Sequence, residues 1–79
     1  MKSQLDQLDA IAIRAAKGDL ADVEPLSTGE RIYVALASNN VALLLIDRYT
    51  IAEALARLGP EWVEELVQRW QYRGNPADF

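Results

Sequence analysis

The sequence contains no cysteine and no histidine. It therefore has no disulfide and no thiolate ligand, and it lacks both the commonest metal ligand and the usual near-neutral acid-base group. Its serines, Ser3, Ser27 and Ser38, have no histidine to activate them as nucleophiles. The four glycines are isolated from one another, so no glycine-rich phosphate loop is present. We expect no catalytic residue, no metal and no cofactor, and hence a protein that is not an enzyme.

Long apolar runs are also missing. The longest strongly apolar run covers residues 41–46, far short of the roughly 20 residues that a membrane-spanning helix needs. The first residues are polar and acidic, whereas a signal peptide has a positive region followed by an apolar one. We therefore expect no membrane association and a cytoplasmic location.

The length and charge limit the architecture and the choice of partner. A chain of 79 residues buries only about 60% of its unfolded surface and supports one core, which predicts a single domain over 1–79. Residues 74–79 show no periodicity and are predicted to form a flexible tail. Twelve acidic and eight basic residues give a net charge of -4, which disfavours phosphate backbones and anionic lipid and favours neutral or basic protein partners.

Helical periodicity and capping patterns define the fold class. Capping boxes begin at Ser27 and at Thr50, each with a glutamate three residues later, and Pro60 is well placed to open a further helix. Apolar residues at helical spacing predict a first helix from about residue 4 to 17, ended by Gly18, and a second from about 28 to 38. The sequence thus predicts an all-α bundle of four or five short helices joined by tight, capped turns.

The apolar residues give a predicted core. The run at 41–46 is rich in alanine and leucine and is interpreted as a short, fully buried helix, because a lone strand would have no sheet to join. The sequence leaves open whether this run belongs to the core or to an interface. In the next helix, Ile51 and Leu55 are predicted to point inward, whereas Tyr33 is placed on the flank of the second helix. The core candidates are Leu5, Leu8, Ile32, Leu36, Leu43, Leu44, Leu55, Trp62, Leu66 and Trp70.

Residues 50–70 read as helix, turn and helix, which raises the possibility of a DNA-binding helix-turn-helix. The second helix of such a unit enters the major groove with its first turns, and here those turns carry Glu61, Glu64 and Glu65. The turn at Gly59 is also shorter than the usual three or four residues. The same glutamates share a face that could hold a cation, but glutamates are favoured at a helix start in any case. Nucleic-acid binding is the first alternative, and the charge pattern opposes it.

The C-terminal stretch contains the residue types that dominate protein interfaces. Tryptophan, tyrosine and arginine bury large areas while keeping a polar handle. The predicted partner-binding residues are Arg69, Trp70, Tyr72, Arg73, Tyr49 and Phe79. The leading hypothesis is a non-enzymatic protein-interaction module, a small regulator, adaptor or inhibitor that binds a larger protein through its last helix and acidic faces. A structural homo-oligomer is the further alternative.

Overall fold

The computed structural model describes residues 2–71 of the chain, and these residues form an all-α bundle. Its helices within this range are α1 (Lys2–Ala16), α2 (Thr28–Ala37), α3 (Ala42–Ile46), α4 (Ile51–Leu58) and α5 (Pro60–Trp70). The predicted fold class is thereby confirmed. None of the described helices is long and apolar enough to cross a bilayer.

The helix boundaries follow local sequence signals. Both capping boxes form, with Ser27 at the start of α2 and Thr50 at the start of α4. The side chain of each cap residue accepts from the backbone N–H of the glutamate three residues later, and the side chain of that glutamate accepts from the backbone N–H of the cap residue. Gly18 follows α1 with φ 95° and Asn39 follows α2 with φ 55°, the left-handed conformation that glycine and asparagine tolerate best. Ser3 forms a Ser-x-x-Asp pattern with Asp6, a weaker relative of the capping box, but it lies inside α1 and does not mark the start of that helix.

Helix α2 is the centre of the bundle, because it packs against α1, α3, α4 and α5. Four consecutive residues, 32–35, are buried, which happens only when neighbours cover a helix on several sides. Tyr33 is consequently fully buried, and its ring meets Trp62 edge-on with centroids 5.7 Å apart. The flank position predicted for Tyr33 was wrong because it assumed that α2 has one buried face.

Most of the predicted core is confirmed. Its buried or partly buried members are Leu5, Leu8, Ile32, Leu36, Leu43, Leu44, Trp62, Leu66 and Trp70. Two predictions fail on α4, since Ile51 and Leu55 are exposed and only Ala54 is buried there. The helix touches the core along one edge, which Ala54 and Leu58 occupy, so the other half of its apolar stripe faces solvent.

Helix α3 confirms the helical interpretation of residues 41–46 and contradicts their full burial. Leu43 and Leu44 are buried, but Val41, Leu45 and Ile46 are exposed. The physical reason is the position of α3 at the edge of the bundle, where it packs mainly on α2. A helix covered on one side leaves its opposite side in solvent however apolar its sequence is.

A half-buried ion pair fixes the end of α3 against α2. Arg31 donates to both carboxylate oxygens of Asp47, at 3.2 and 3.0 Å, and a third donor of the guanidinium reaches the carbonyl of Leu26 at 3.0 Å. This two-pronged geometry is the most directional that arginine forms with a carboxylate. It holds the 19–27 connector and the α3–α4 loop onto α2.

The junction of α4 and α5 is a tight corner. Gly59, with φ 91° and ψ 160°, separates the two helices, and Pro60 occupies the first position of α5. Proline loses nothing there because the first amides of a helix have no intrahelical partner. One residue between helices is the spacing predicted from the Gly-Pro pair.

Candidate functional site

The outer face of α3 is the most exposed apolar surface of the described chain. Leu45 is 72% exposed and Ile46 is 64% exposed, and they lie on the solvent side of the helix with Val41 and Ala42. Ile46 also lines a shallow groove of about 330 Å³ together with Leu20, Val23, Glu24, Arg31 and Leu43. Exposed apolar residues of this size, concentrated on one element, are typical of contact surfaces.

Helix α4 also has an exposed apolar face. Ile51 is 53% exposed and Leu55 is 37% exposed, one helical turn apart, with the exposed Ala52 and Ala56 beside them. The residues at i, i+1, i+4 and i+5 form one side of a helix. This side therefore carries four apolar residues and no charge.

A second, polar site lies between α1, α2 and α5, around the carboxylate of Asp9, which is only 6% exposed. Its Oδ1 accepts the Tyr33 hydroxyl at 2.6 Å and the Trp70 indole N–H at 2.7 Å. Its Oδ2 accepts from the Arg69 guanidinium at 2.9 Å. A buried carboxylate is tolerated only when donors replace the water it has lost, and Asp9 has three.

Arg69 ties the same cluster to the surface. Beyond Asp9, it donates to Asp6 at 2.8 Å and to Glu65, one turn earlier on α5, at 3.2 Å. The hydrogen bonds to Asp6 and Asp9 raise the pKa of Arg69 above its ordinary value, so the residue is a permanent cation. The cluster thus clamps α5 onto α1 at a point where few backbone atoms of the two helices meet.

The pKa values of Asp9 and Tyr33, which are hydrogen-bonded to each other, are shifted in opposite directions. Burial by itself raises the pKa of Asp9, but the hydrogen bonds from Tyr33, Trp70 and Arg69 outweigh it and leave the pKa below its ordinary value. The pKa of Tyr33 is raised far above the ordinary tyrosine value. The main cause is burial, and the hydrogen bond to Asp9 and the negative charge of Asp9 add to it. At neutral pH Asp9 is ionised and Tyr33 is neutral, which is the pairing that their hydrogen bond requires.

These shifts predict a stability profile with two limbs. Because the folded pKa of Asp9 is lowered, its stabilisation is complete above its unfolded pKa and is lost as pH falls below about 4. Because that of Tyr33 is raised, its stabilisation is complete below its unfolded pKa and is lost as pH rises above about 10. We expect the urea midpoint, measured from pH 2 to 11, to fall on both sides of a plateau.

Two variants test the origin of each limb. Asp9→Asn should make the acid limb shallower, although Glu30 and Glu53, whose pKa values are lowered mainly by backbone donors of their capping boxes, keep part of it. Tyr33→Phe should make the alkaline limb shallower. Limbs as steep in the variants as in the wild type would show that other groups control the pH dependence.

Asp9 was missed in the sequence, although a signal was present. It follows Leu5 by four residues, which places it on the apolar face of α1 that Leu5, Leu8 and Ala12 form. An acidic residue at such a position needs a buried donor. The sequence does not say which donor, because Tyr33 and Trp70 are 24 and 61 positions away.

The predicted C-terminal partner-binding residues are only partly described. The polar groups of Arg69 and Trp70 bind Asp9, and Tyr49 is half-buried against the core. Tyr72, Arg73 and Phe79 lie outside the described residues, as does the 74–79 tail. The structure therefore places two of the six residues in an internal cluster and one at the edge of the core, and the patch as a whole stays a prediction.

A surface concavity beside the start of α2 offers no reactive arrangement. It has a volume of about 520 Å³ and is lined by Gln4, Ser27, Thr28, Gly29, Glu30, Arg57, Leu58 and Trp62. Its polar groups largely serve the start of α2, where Glu30 accepts from the Ser27 amide and from Gln4. Over residues 2–71, no three acidic side chains come together in a way that could hold a metal ion.

Comparisons of this chain with protein-family models, with curated proteins and with solved structures give no match. Arguments about function therefore rest on its own residues and geometry.

Proposed function

We propose that this protein is a non-enzymatic protein-interaction module, a small regulator, adaptor or inhibitor that binds a protein partner through the outer faces of α3 and α4. The observation that carries the proposal is the exposure of Val41, Leu45, Ile46, Ile51 and Leu55 on these two short helices. The surface differs from the C-terminal patch predicted from the sequence, because Arg69 and Trp70 are engaged by Asp9.

The amount of exposed apolar surface supports binding. The five side chains together expose nearly as much as three whole aliphatic side chains. Covering them would contribute roughly 4–8 kcal/mol, at about 1.5–3 kcal/mol for each side chain fully removed from water. This offsets the lower part of the roughly 4–15 kcal/mol that association costs. The surface can therefore anchor a complex of moderate affinity.

The polar groups support a binding role over a catalytic one. The buried carboxylate in the described chain, Asp9, has three donors and lies between α1, α2 and α5. A catalytic carboxylate needs a path to substrate, and its pKa is normally moved toward the working pH. The pKa of Asp9 moves the other way.

The nucleic-acid alternative gains no support from the described residues. Arg69 is the one basic residue of α5, and its guanidinium faces Asp6, Asp9 and Glu65. A recognition helix uses such cations on phosphates or base edges. The first turns of α5 instead present glutamates, which repel the backbone of a duplex.

The test is affinity capture with the tagged protein from lysate of its source cells, with and without nuclease treatment. An untagged copy of the chain is co-expressed so that capture of a second copy is detected as well. We expect a protein in fixed ratio to the bait, and at least about a ten-fold lower recovery with the double variant Leu45→Gln, Ile46→Gln. Glutamine keeps helix propensity and removes the apolar surface. Ile13→Gln, an equally simple change at an exposed apolar residue of α1, serves as the matched control and should leave recovery unchanged.

Two outcomes oppose the proposal. Equal recovery with all three proteins would show that the outer face of α3 is not the binding surface. Recovery that disappears with nuclease treatment would favour the nucleic-acid alternative instead.

A further inference from the structure

We infer that the partner of the outer faces of α3 and α4 is a second copy of this chain, so that the protein is a two-fold symmetric homodimer with α4 against α4 at its centre. The inference rests on the proposed function, because it uses the same surface and names its occupant.

The charge distribution favours a second copy. Residues 41–58 contain two acidic and two basic residues, so the net charge of -4 lies entirely in the rest of the chain. Two copies of an acidic protein repel each other least where neither carries net charge. A basic partner would instead be drawn to α5 or to the segment 17–27, each of which has a net charge of -2.

The packing of α4 also calls for a covering partner. The helix has eight residues, and its one buried side chain is that of Ala54. Helices shorter than about 12 residues are not stable without tertiary contacts, and those of α4 are made with α2 and α5 along one edge of the helix. Burial against an identical helix is available wherever the chain itself is present, and self-association is a common solution for domains below roughly 80 residues.

The outer face of α4 has the shape of a self-complementary surface. Ile51 and Leu55 form one row at a spacing of four, and Ala52 and Ala56 form the adjacent row at the same spacing. Rows at this spacing pack as ridges into grooves, and alanines let two helices approach closely. Across a two-fold axis the same patch faces itself. The large residues of one copy can then lie over the alanines of the other.

The available area fits a weak, reversible dimer. Taken together, the exposed apolar side chains on the outer faces of α3 and α4 present on the order of 500 Å² per copy. Two copies would together bury about 1,000 Å², close to the lower limit of specific interfaces. We therefore expect a dissociation constant on the order of 10–100 µM.

The experiment is sedimentation equilibrium of the full chain from about 1 µM to 1 mM, a range that spans the expected dissociation constant. The mass should rise from 8.8 kDa toward twice that value. Ala56→Glu and Ala56→Arg should each raise the dissociation constant at least about ten-fold, because either charge would be buried in the interface. Ala10→Glu, at an exposed position of α1, is the matched control and should leave association unchanged.

Several results would overturn the inference. The first is a mass of 8.8 kDa at every concentration. The second is a dimer that Ala56→Glu and Ala56→Arg leave intact. The third is a mass that keeps rising with concentration beyond that of two chains. A monomer that captures a different protein, and loses it with Leu45→Gln, Ile46→Gln, would overturn the dimer alone and leave the proposed function standing. A monomer whose captures do not depend on this surface would overturn both.

Discussion

Replacing Asp9 with alanine is expected to lower the free energy of unfolding by about 3–5 kcal/mol, the usual consequence of breaking a buried charge pair from one side. The change leaves the Tyr33 hydroxyl, the Trp70 indole N–H and one donor of Arg69 without the acceptor they share. Domains of this size are stabilised by only about 3–5 kcal/mol in all. The variant should therefore be largely unfolded at 25 °C, as measured by urea denaturation followed by circular dichroism.

The same helix offers the control. Asp6 also binds Arg69, but its side chain is 70% exposed, and exposed ion pairs contribute at most about 1 kcal/mol. Asp6→Ala should therefore fold normally, and Asp9→Asn, which keeps an acceptor in place, should fall between the two. If Asp9→Ala proved as stable as Asp6→Ala, the buried cluster would have no structural role.

The helices of this protein could be predicted because their signals are local. Each signal acts within a few residues of a helix end. They are the capping boxes at Ser27 and Thr50, the left-handed positions at Gly18 and Asn39, and Pro60 at the start of α5. Such signals can be read along the chain without knowledge of the fold.

The packing faces could be predicted less well, because they depend on how many neighbours each helix has. Tyr33 is buried because α2 is central, and Leu45 and Ile46 are exposed because α3 is at the edge. Nothing in the sequence around these residues separates the two situations. The spacing of apolar residues shows which side of a helix is apolar, but it does not show whether another helix covers that side.

The sequence and the structure indicate different candidate surfaces for the same reason. Aromatic and basic residues near the C-terminus were interpreted as a docking patch, whereas Arg69 and Trp70 complete the coordination of a carboxylate on α1. The apolar run at 41–46 was interpreted as core, whereas half of it forms the proposed docking surface. Polar side chains thus hold the centre of this bundle together while part of its apolar surface stays outside.

The hydrogen bond from Trp70 to Asp9 leads to the second prediction of a large loss of stability. Trp70→Ala is expected to lower the free energy of unfolding by about 2–3 kcal/mol, somewhat less than for a fully buried tryptophan, because the indole is partly buried. The loss combines the contacts of the ring with the core and its hydrogen bond to Asp9. Urea denaturation would measure it. The interpretation of Trp70 as an interface residue makes the opposite prediction, which is weaker partner binding with unchanged stability.

Two variants separate the contributions of the ring and of the N–H. Trp70→Phe keeps most of the apolar contact and removes the donor, so it should cost about 1 kcal/mol, the net value of a typical hydrogen bond. Val67→Ala, at an exposed position of the same helix, should change stability by less than about 0.5 kcal/mol. A double-mutant cycle of Asp9→Ala and Trp70→Phe, measured in a stabilising osmolyte so that Asp9→Ala folds, should give a combined loss smaller than the sum of the separate losses. The reason is that Asp9→Ala already removes the acceptor of the Trp70 indole N–H. Additive effects in that cycle, together with an unchanged stability of Trp70→Ala, would return Trp70 to the surface patch and restore the C-terminal residues as the leading candidate for partner binding.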